Sequence, residues 1–358
     1  MNTIGVKLRL TIFGTSHGEG VGCVIDGIPA GMTISLDDIQ RELDLRRPSV
    51  GIGTPRREED IVLPLSGLKD SKATGGALTL FIKNVDKDSE RYKDLEFRPR
   101  PGHADLTAVI KYGGSHDIRG GGQFSGRMTA PIVAAGSVAK AILAKIGVNI
   151  RAYTVQIGKV RDDADRTYEE IAEKGRANDI RAASVEMAEL MRKEIMDAKA
   201  DGDSIGGVVR CLAVGLPIGV GEPFFDTLEG ELAKMIFAIP AVKGIEFGAG
   251  FRSASMRGSQ HNDPFTIKDG KVVTTKNDSG GVLGGISNGM PLDLSVAFKP
   301  TASIAQEQDT IDLRTMRPAK IRTEGRHDPC IVPRAVVVVE AAVALVLADL
   351  CIRGGFID

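Results

Sequence analysis

Tryptophan is absent from this chain of 358 residues, and aromatic residues as a whole make up only 4% of it. Base stacking therefore has few platforms, and a core of this size has to be built from aliphatic side chains. An excess of one charge is missing too. Lys and Arg number 46 against 47 Asp and Glu, for a net charge of −1, so no global basic field points to nucleic acid and any anionic partner must be met by local clusters. The four cysteines, Cys23, Cys211, Cys330 and Cys351, lie far apart with no CxxC or Cys/His spacing. They read as small buried hydrophobes of a reducing compartment. The five histidines are scattered and no carboxylate pair has ligand spacing, so no metal site emerges. A Walker A sequence, a strand-borne GxGxxG and a GxSxG elbow are likewise missing. The opening MNTIGVKLRLTIFG has no signal-peptide core, because Lys7 and Arg9 interrupt it. The apolar run from Ala335 to Cys351 falls short of the roughly 20 residues of a membrane span and carries Glu340 and Asp349. A buried core helix is expected there, in a cytoplasmic chain with no membrane partner.

What the chain does have is a dense stretch from Arg98 to Arg127, RPRPGHADLTAVIKYGGSHDIRGGGQFSGR, holding two of the five histidines. Gly120, Gly121 and Gly122 let backbone amides approach a ligand, and Thr129 to Ile146 follows at helical spacing. This predicts a glycine run that hands an anion to a helix N-terminus. Upstream, the strands Leu8 to Phe13 and Val21 to Ile25 flank a Thr15-Ser16-His17-Gly18 loop suited to meeting a ligand. Ser35 opens a helix that Pro48 closes. Arg46-Arg47 at its end, with Arg56-Arg57 across a glycine-rich loop, form a polyanion clamp. Thr74-Gly75-Gly76 leads into the strand Ala77 to Asn84. From Arg161 to Ala200 the pattern predicts one or two surface or oligomer-contacting helices without chemistry.

The second half repeats the order of the first. Gly215-Leu216-Pro217-Ile218-Gly219 answers Gly27-Ile28-Pro29-Ala30-Gly31, Ser279-Gly280-Gly281 answers Thr74-Gly75-Gly76, and Gly325-Arg326-His327-Asp328 answers Gly102-His103-Ala104-Asp105, with an apolar helix closing each half. We expect one domain over residues 1–358 with an internal pseudo-repeat, about 20–146 and 207–350, packed so that both histidine motifs face one region. Lys299-Pro300-Thr301-Ala302-Ser303, after the strand Leu292 to Phe298, adds a cation and hydroxyls. From the residues alone the chemistry is acid–base catalysis on a phosphorylated, polyanionic small molecule.

Taken together, Thr15-Ser16-His17-Gly18, Arg46-Arg47-Pro48, PGHAD at 101–105, Asp203-Ser204-Ile205-Gly206-Gly207, Gly221-Glu222-Pro223, Gly258-Ser259-Gln260, Gly284-Gly285-Ile286-Ser287, Lys299-Pro300-Thr301 and GRHDPC at 325–330 resemble the chorismate synthase family, from Thr3 to the last helix. The resemblance implies an α/β (α+β) fold, a β-α-β sandwich of two pseudo-two-fold related halves, assembled as a homotetramer. It implies anti-1,4-elimination of phosphate from 5-enolpyruvylshikimate 3-phosphate, giving chorismate for aromatic amino acid biosynthesis, with reduced FMN. NADPH enters only indirectly, if the protein reduces the flavin itself, and an external flavin reductase is the other source of reduced cofactor.

By the same resemblance, His17 protonates the departing phosphate, His103 protonates or stabilises the reduced flavin, and Asp328 helps the flavin act as base. Arg46, Arg47, Arg100, Ser125, Arg127 and Arg326 hold the substrate. Gln123, Phe124, Ser125, Gly284, Lys299, Pro300, Thr301, Ala302, Ser303 and Arg326 hold FMN. The chain departs from the commoner bacterial pattern in having Gln123-Phe124-Ser125-Gly126-Arg127 for Arg-Ser-Ser-Ala-Arg, Pro240-Ala241 for Asn-Ala, and a short loop from Ser49 to Pro55 without the extra arginine often found there. Two other classes share parts of this set. A sugar-phosphate phosphatase or aldolase would require a metal or a Schiff-base lysine, and a flavin-storage protein would have no use for His17 or the Arg46-Arg47 pair.

Overall fold

A computed structural model describes residues 1–48, 51–53, 58–85, 95–323 and 327–357. Ten strands form two antiparallel sheets. The first holds β1 (Thr3–Ile4), β2 (Arg9–Gly14), β3 (Gly20–Asp26), β4 (Val62–Ser66) and β5 (Leu78–Lys83) in the order β1-β2-β3-β5-β4. The second holds β6 (Asn149–Ile157), β7 (Val160–Arg161), β8 (Gly207–Val214), β9 (Val242–Phe247) and β10 (Leu292–Phe298) in the order β9-β10-β8-β6-β7. Without the edge strands β1 and β7, each sheet has its first, second, fourth and third strand side by side, so the two share one connectivity.

Between the sheets lies a layer of helices. α1 (Leu36–Arg46) packs beside α3 (Thr129–Ala144), which rests on β3 and β5 and follows the short α2 (Asp105–Tyr112). α4 (Tyr168–Lys174) and α5 (Val185–Ala200) lie against β6. α6 (Leu228–Ile236) flanks α7 (Val332–Arg353), which rests on β6 and β8 and packs along α3. Side-chain caps set several helix starts: Ser35 accepts from the amide of Asp38 at 3.1 Å, and Thr227 from that of Gly230 at 3.0 Å. The α3–α7 contact is close because Gly136 has no side chain. A Cβ there would stand 2.3 Å from the Cβ of Ala341.

The sequence placed β2, β3, β5, β10, α1, α3 and α7 to within a few residues, but it did not foresee β1, β4, β6 to β9 or α2, and the apolar run is a core helix. Among the described residues two helical stretches, Gly126–Ala144 with α3 and Val332–Arg353 (α7), are long and apolar enough to cross a membrane, and both are largely covered by protein. α5 is a surface helix as expected, with Ala188, Met191 and Ile195 as the face it buries in the common core. The glycine run differs from expectation. Gly120, Gly121 and Gly122 all have positive φ and fold back onto His17 and His103, and a separate turn, Gly126–Met128, leads into α3.

The two acids of α7 are fully used. Glu340, wholly buried, accepts from the amide of Ala152 at 2.9 Å, from Lys140 Nζ at 2.5 Å and from Arg176 Nη2 at 2.8 Å, while Glu42 of α1 binds the same two cations. Asp349 accepts the amides of Val6, Lys7 and Leu8, pinning the turn between β1 and β2. Burial alone would raise the Glu340 carboxyl, but Lys140 and then Arg176 outweigh it and hold it well below the usual range. A depressed folded value contributes stability that is present above the unfolded value of about 4.3 and is lost as pH falls through the folded one. Glu340→Gln is therefore expected to lower stability at neutral pH by about 3–5 kcal/mol and to flatten the acid-side loss of stability in denaturant titrations. A variant as stable as the parent at neutral pH would contradict this.

Candidate active site

A cavity of about 600 Å³ opens where the end of α1, the 120–129 segment, the 237–243 turn, the end of β10 and the first turns of α7 meet. Arg46, Arg47, Arg100, Ser125, Arg127, His103 and Asp328 line it, as do Gln123, Phe124, Lys299, Thr301, Ala302 and Ser303. Most of the expected substrate and flavin residues thus share one space built from both halves of the chain. Arg326 lies outside the described residues, as do Arg56 and Arg57 of the expected clamp. Gly284 sits in the turn of the hairpin Val282–Leu283 and Ile286–Ser287, and neither it nor Pro300 lines the cavity.

His17 is also placed differently. It is only 5% exposed and lies behind Gly120, which itself lines the cavity. A Cβ on Gly120 would stand 2.3 Å from His17 Cδ2. Ser16 Oγ donates to the carbonyl of Gly120 at 3.0 Å and so fastens the two loops together.

The arginines are not loose cations awaiting a ligand. Arg46, 4% exposed, pairs through Nη2 with Asp60 Oδ2 at 2.7 Å. Burial pushes its guanidinium down to about 10, against the opposing pull of Asp60. Arg127 meets the other oxygen of Asp60, Glu58 Oε2 at 2.9 Å and Asn84 Oδ1 at 3.0 Å. Burial works to raise Asp60, but the two arginines outweigh it and keep the carboxyl low. Arg47 pairs with Asp44 at 2.8 Å at the helix end. In the PGHAD turn, Asp105 takes Arg100 Nε at 2.7 Å and Nη2 at 2.8 Å, and lies 2.6 Å from His103 Nδ1. Burial of Asp105 is overcome by the hydrogen bonds from Arg100 and then His103, so it stays ionised. Arg100 Nη1 also reaches Ser303 Oγ at 3.0 Å, tying the motif to the segment after β10.

Sequence reasoning missed the carboxylates that hold these cations. Asp105 was visible two residues after His103, whereas Glu58 and Asp60 sit in an acidic run, Glu58-Glu59-Asp60, that reads as a solvated loop. Arg334, in the first turn of α7, was missed as well. It donates from Nε to the carbonyl of Arg46 at 3.0 Å and pairs through Nη1 with Asp328, bridging the two halves at the cavity wall. Thr301 Oγ1 donates to the carbonyl of Asp328 at 3.0 Å, and Lys299 Nζ to that of Gly102 at 2.8 Å. Burial, then the nearby Lys243, lowers the Lys299 ammonium. His327 lines the same cavity. Among the described residues no group of His, Cys, Asp and Glu is arranged to hold a metal ion.

Comparison with known proteins decides the family. The chorismate synthase family model matches residues 8–352. The chain belongs to the chorismate synthase family. It is 48% identical over 357 residues to a chorismate synthase of Dehalococcoides mccartyi, covering 99% of this chain and 98% of the relative. It is 49% identical over 356 residues to one of Korarchaeum cryptofilum, covering 98% and 97%. A crystal structure of chorismate synthase superposes with a TM-score of 0.77 at 31% identity, over 98% of this chain and 92% of that one. The family is one of lyases of aromatic amino acid biosynthesis, and the α+β architecture is that of this solved member.

The contact between Gly120 and His17 can be isolated with a control. Gly113 has a similar positive φ, but nothing lies within 4 Å of a Cβ added there. Gly113→Ala should cost the backbone term alone, about 1–2 kcal/mol. Gly120→Ala should cost more and shift the ring resonances of His17. Equal losses for the two variants, with unshifted His17 signals, would show that the turn does not seat the histidine.

Proposed function

We propose that this chain converts 5-enolpyruvylshikimate 3-phosphate to chorismate by anti-1,4-elimination of phosphate, with reduced FMN bound in the same cavity. The observation that carries the reading is the gathering of Arg46, Arg47, Arg100 and Arg127 with His103 around one space of about 600 Å³. Such a volume suits a flavin and a small substrate together. Its lining includes buried polar atoms without a protein partner among the described residues, Arg46 Nε, Arg47 Nε and His327 Nε2, which a polar ligand would satisfy.

In this reading, Gln123, Phe124, Ser125, Lys299, Thr301, Ala302 and Ser303 hold the flavin, with Gly284, Pro300 and Arg326 carried over from the family pattern. Reduced FMN supplies, when bound, the redox chemistry that an elimination with no net redox change cannot draw from side chains. The residues do the rest. Arg46, Arg47, Arg100, Arg127 and Arg326 bind the substrate's anionic groups and concentrate positive charge where phosphate departs. Asp105 keeps His103 oriented, with Nδ1 toward the carboxylate, and His103 holds a proton at the flavin side. Arg334 fixes the Asp328 carboxylate. His17 delivers a proton to the leaving phosphate once the Gly120 turn in front of it gives way.

The wider expectations belong to the same reading: a homotetramer, a cytoplasmic location, and flavin that is supplied already reduced by an external reductase. We also read the shared sheet connectivity as the trace of a duplication within one domain.

Anaerobic incubation with dithionite-reduced FMN and the enolpyruvyl substrate should give chorismate absorbance with equimolar phosphate, and NADPH alone should give neither. Product from NADPH and oxidised FMN, in a preparation free of reductase, would sink the dependence on supplied reduced flavin, and the absence of product from reduced FMN would sink the function itself. The two histidines should then fail differently. His17→Ala is expected to slow turnover by about 10²–10⁴-fold with the bound flavin's spectrum unchanged, whereas His103→Ala should alter that spectrum as well as the rate.

A further inference from the structure

The cavity is rich in donors that suit an anion, namely Arg46, Arg47, Arg100, Lys299 and Arg334. Its acids are already taken: Asp60 by Arg46 and Arg127, Glu58 by Arg127, and Asp328 by Arg334. The hydroxyls are taken as well. Thr301 donates to the carbonyl of Asp328, Thr129 to that of Gly126, and Ser303 and Ser125 accept from Arg100 and from the amide of Arg127. What remains is His327. The residue lines this space, its Nε2 is buried without a hydrogen-bond partner among the described residues, and it is the one such atom on a lining residue that does not belong to a guanidinium.

We propose that His327 is a ligand-binding residue, an uncharged imidazole whose Nε2 accepts a hydrogen bond from an N–H or hydroxyl of the molecule bound in this cavity. The inference rests on the reading above for the identity of the probes, a flavin carrying a ring N–H and a substrate carrying a hydroxyl. Two features support an acceptor. Burial, followed by the charge of Arg100, pushes the ring's pKa down to about 4, so it stays neutral where an ordinary histidine begins to charge. The anionic parts of either ligand are already matched by arginines, whereas a ligand N–H or O–H finds no other buried acceptor side chain without a partner there.

The test compares His327→Leu, which removes the acceptor, with His327→Gln, which offers a side-chain oxygen in its place. Dissociation constants for oxidised FMN, for FMN methylated at its ring N–H, and for the enolpyruvyl substrate are read by flavin fluorescence and calorimetry. A loss of about tenfold in His327→Leu, largely restored in His327→Gln, is expected for one ligand. If that ligand is FMN, the methylated flavin should also bind the parent chain about tenfold more weakly, which assigns the contact to the flavin. If it is the substrate, the contact is to a hydroxyl. Either result supports the proposal, and unchanged affinities for both overturn it. Ring ¹⁵N shifts of the free parent chain provide an arm that needs neither ligand nor variant. A His327 ring already charged at about pH 6, just under the ordinary histidine value, overturns the proposal. A parent chain that binds neither FMN nor substrate overturns the functional reading along with it, an outcome distinct from loss in the variants alone.

Discussion

Glu340 is the constraint on which the arrangement depends. A helix buried from Val332 to Cys351 has little in its apolar surface to fix its rotation or height against its neighbours, because valine and alanine pack acceptably in many registers. One carboxylate in its middle removes that freedom. It must find Lys140 on α3, Arg176 after α4 and the amide of Ala152 on β6 at once, since an unpaired charge at that depth is prohibitively costly. With the helix so indexed, Asp349 at its far end captures the β1–β2 turn, and its first turns place Arg334, Ala335 and Val338 on the cavity wall.

The cavity follows the same logic with the charges reversed. The buried arginines Arg46, Arg100 and Arg127 and the half-buried Arg334 are each held by a carboxylate of the protein: Arg46 and Arg127 by Asp60, Arg100 by Asp105, and Arg334 by Asp328. These pairs set the directions of the guanidinium groups before any ligand arrives, which is what a polyanion needs if its binding is not to be spent on ordering the site. They also moderate the positive potential, so the site does not depend on a strongly basic protein, and the net charge of −1 is consistent with that.

Much of this was legible in the sequence. The strands around Thr15-Ser16-His17-Gly18, the helix capped by Ser35, the strand Leu292 to Phe298 and the buried final helix follow from period and punctuation. The cationic side of the site was legible because Arg46, Arg100 and Arg127 lie in glycine- and proline-rich motifs. Its anionic side was not. Asp60 meets Arg127 across 67 positions and sits in an acidic run that looks solvated, and Arg334 follows a proline in a stretch whose pattern speaks only of packing. His17 was recognised as a site residue, but no local pattern indicates that Gly120, more than a hundred positions away, folds over it. Contacts of this kind are set by the packing of the two halves, to which local periodicity carries no pointer.

The central claim is that flavin and substrate share this one cavity between the halves. A crystal structure of the chain with oxidised FMN and the enolpyruvyl substrate tests it most directly. The account predicts both molecules there, with the substrate's anionic groups on Arg46 and Arg100 and the flavin along Gln123 to Ser125 and Lys299 to Ser303. Either molecule bound elsewhere, or density for neither between Arg46 and Arg334, would contradict it.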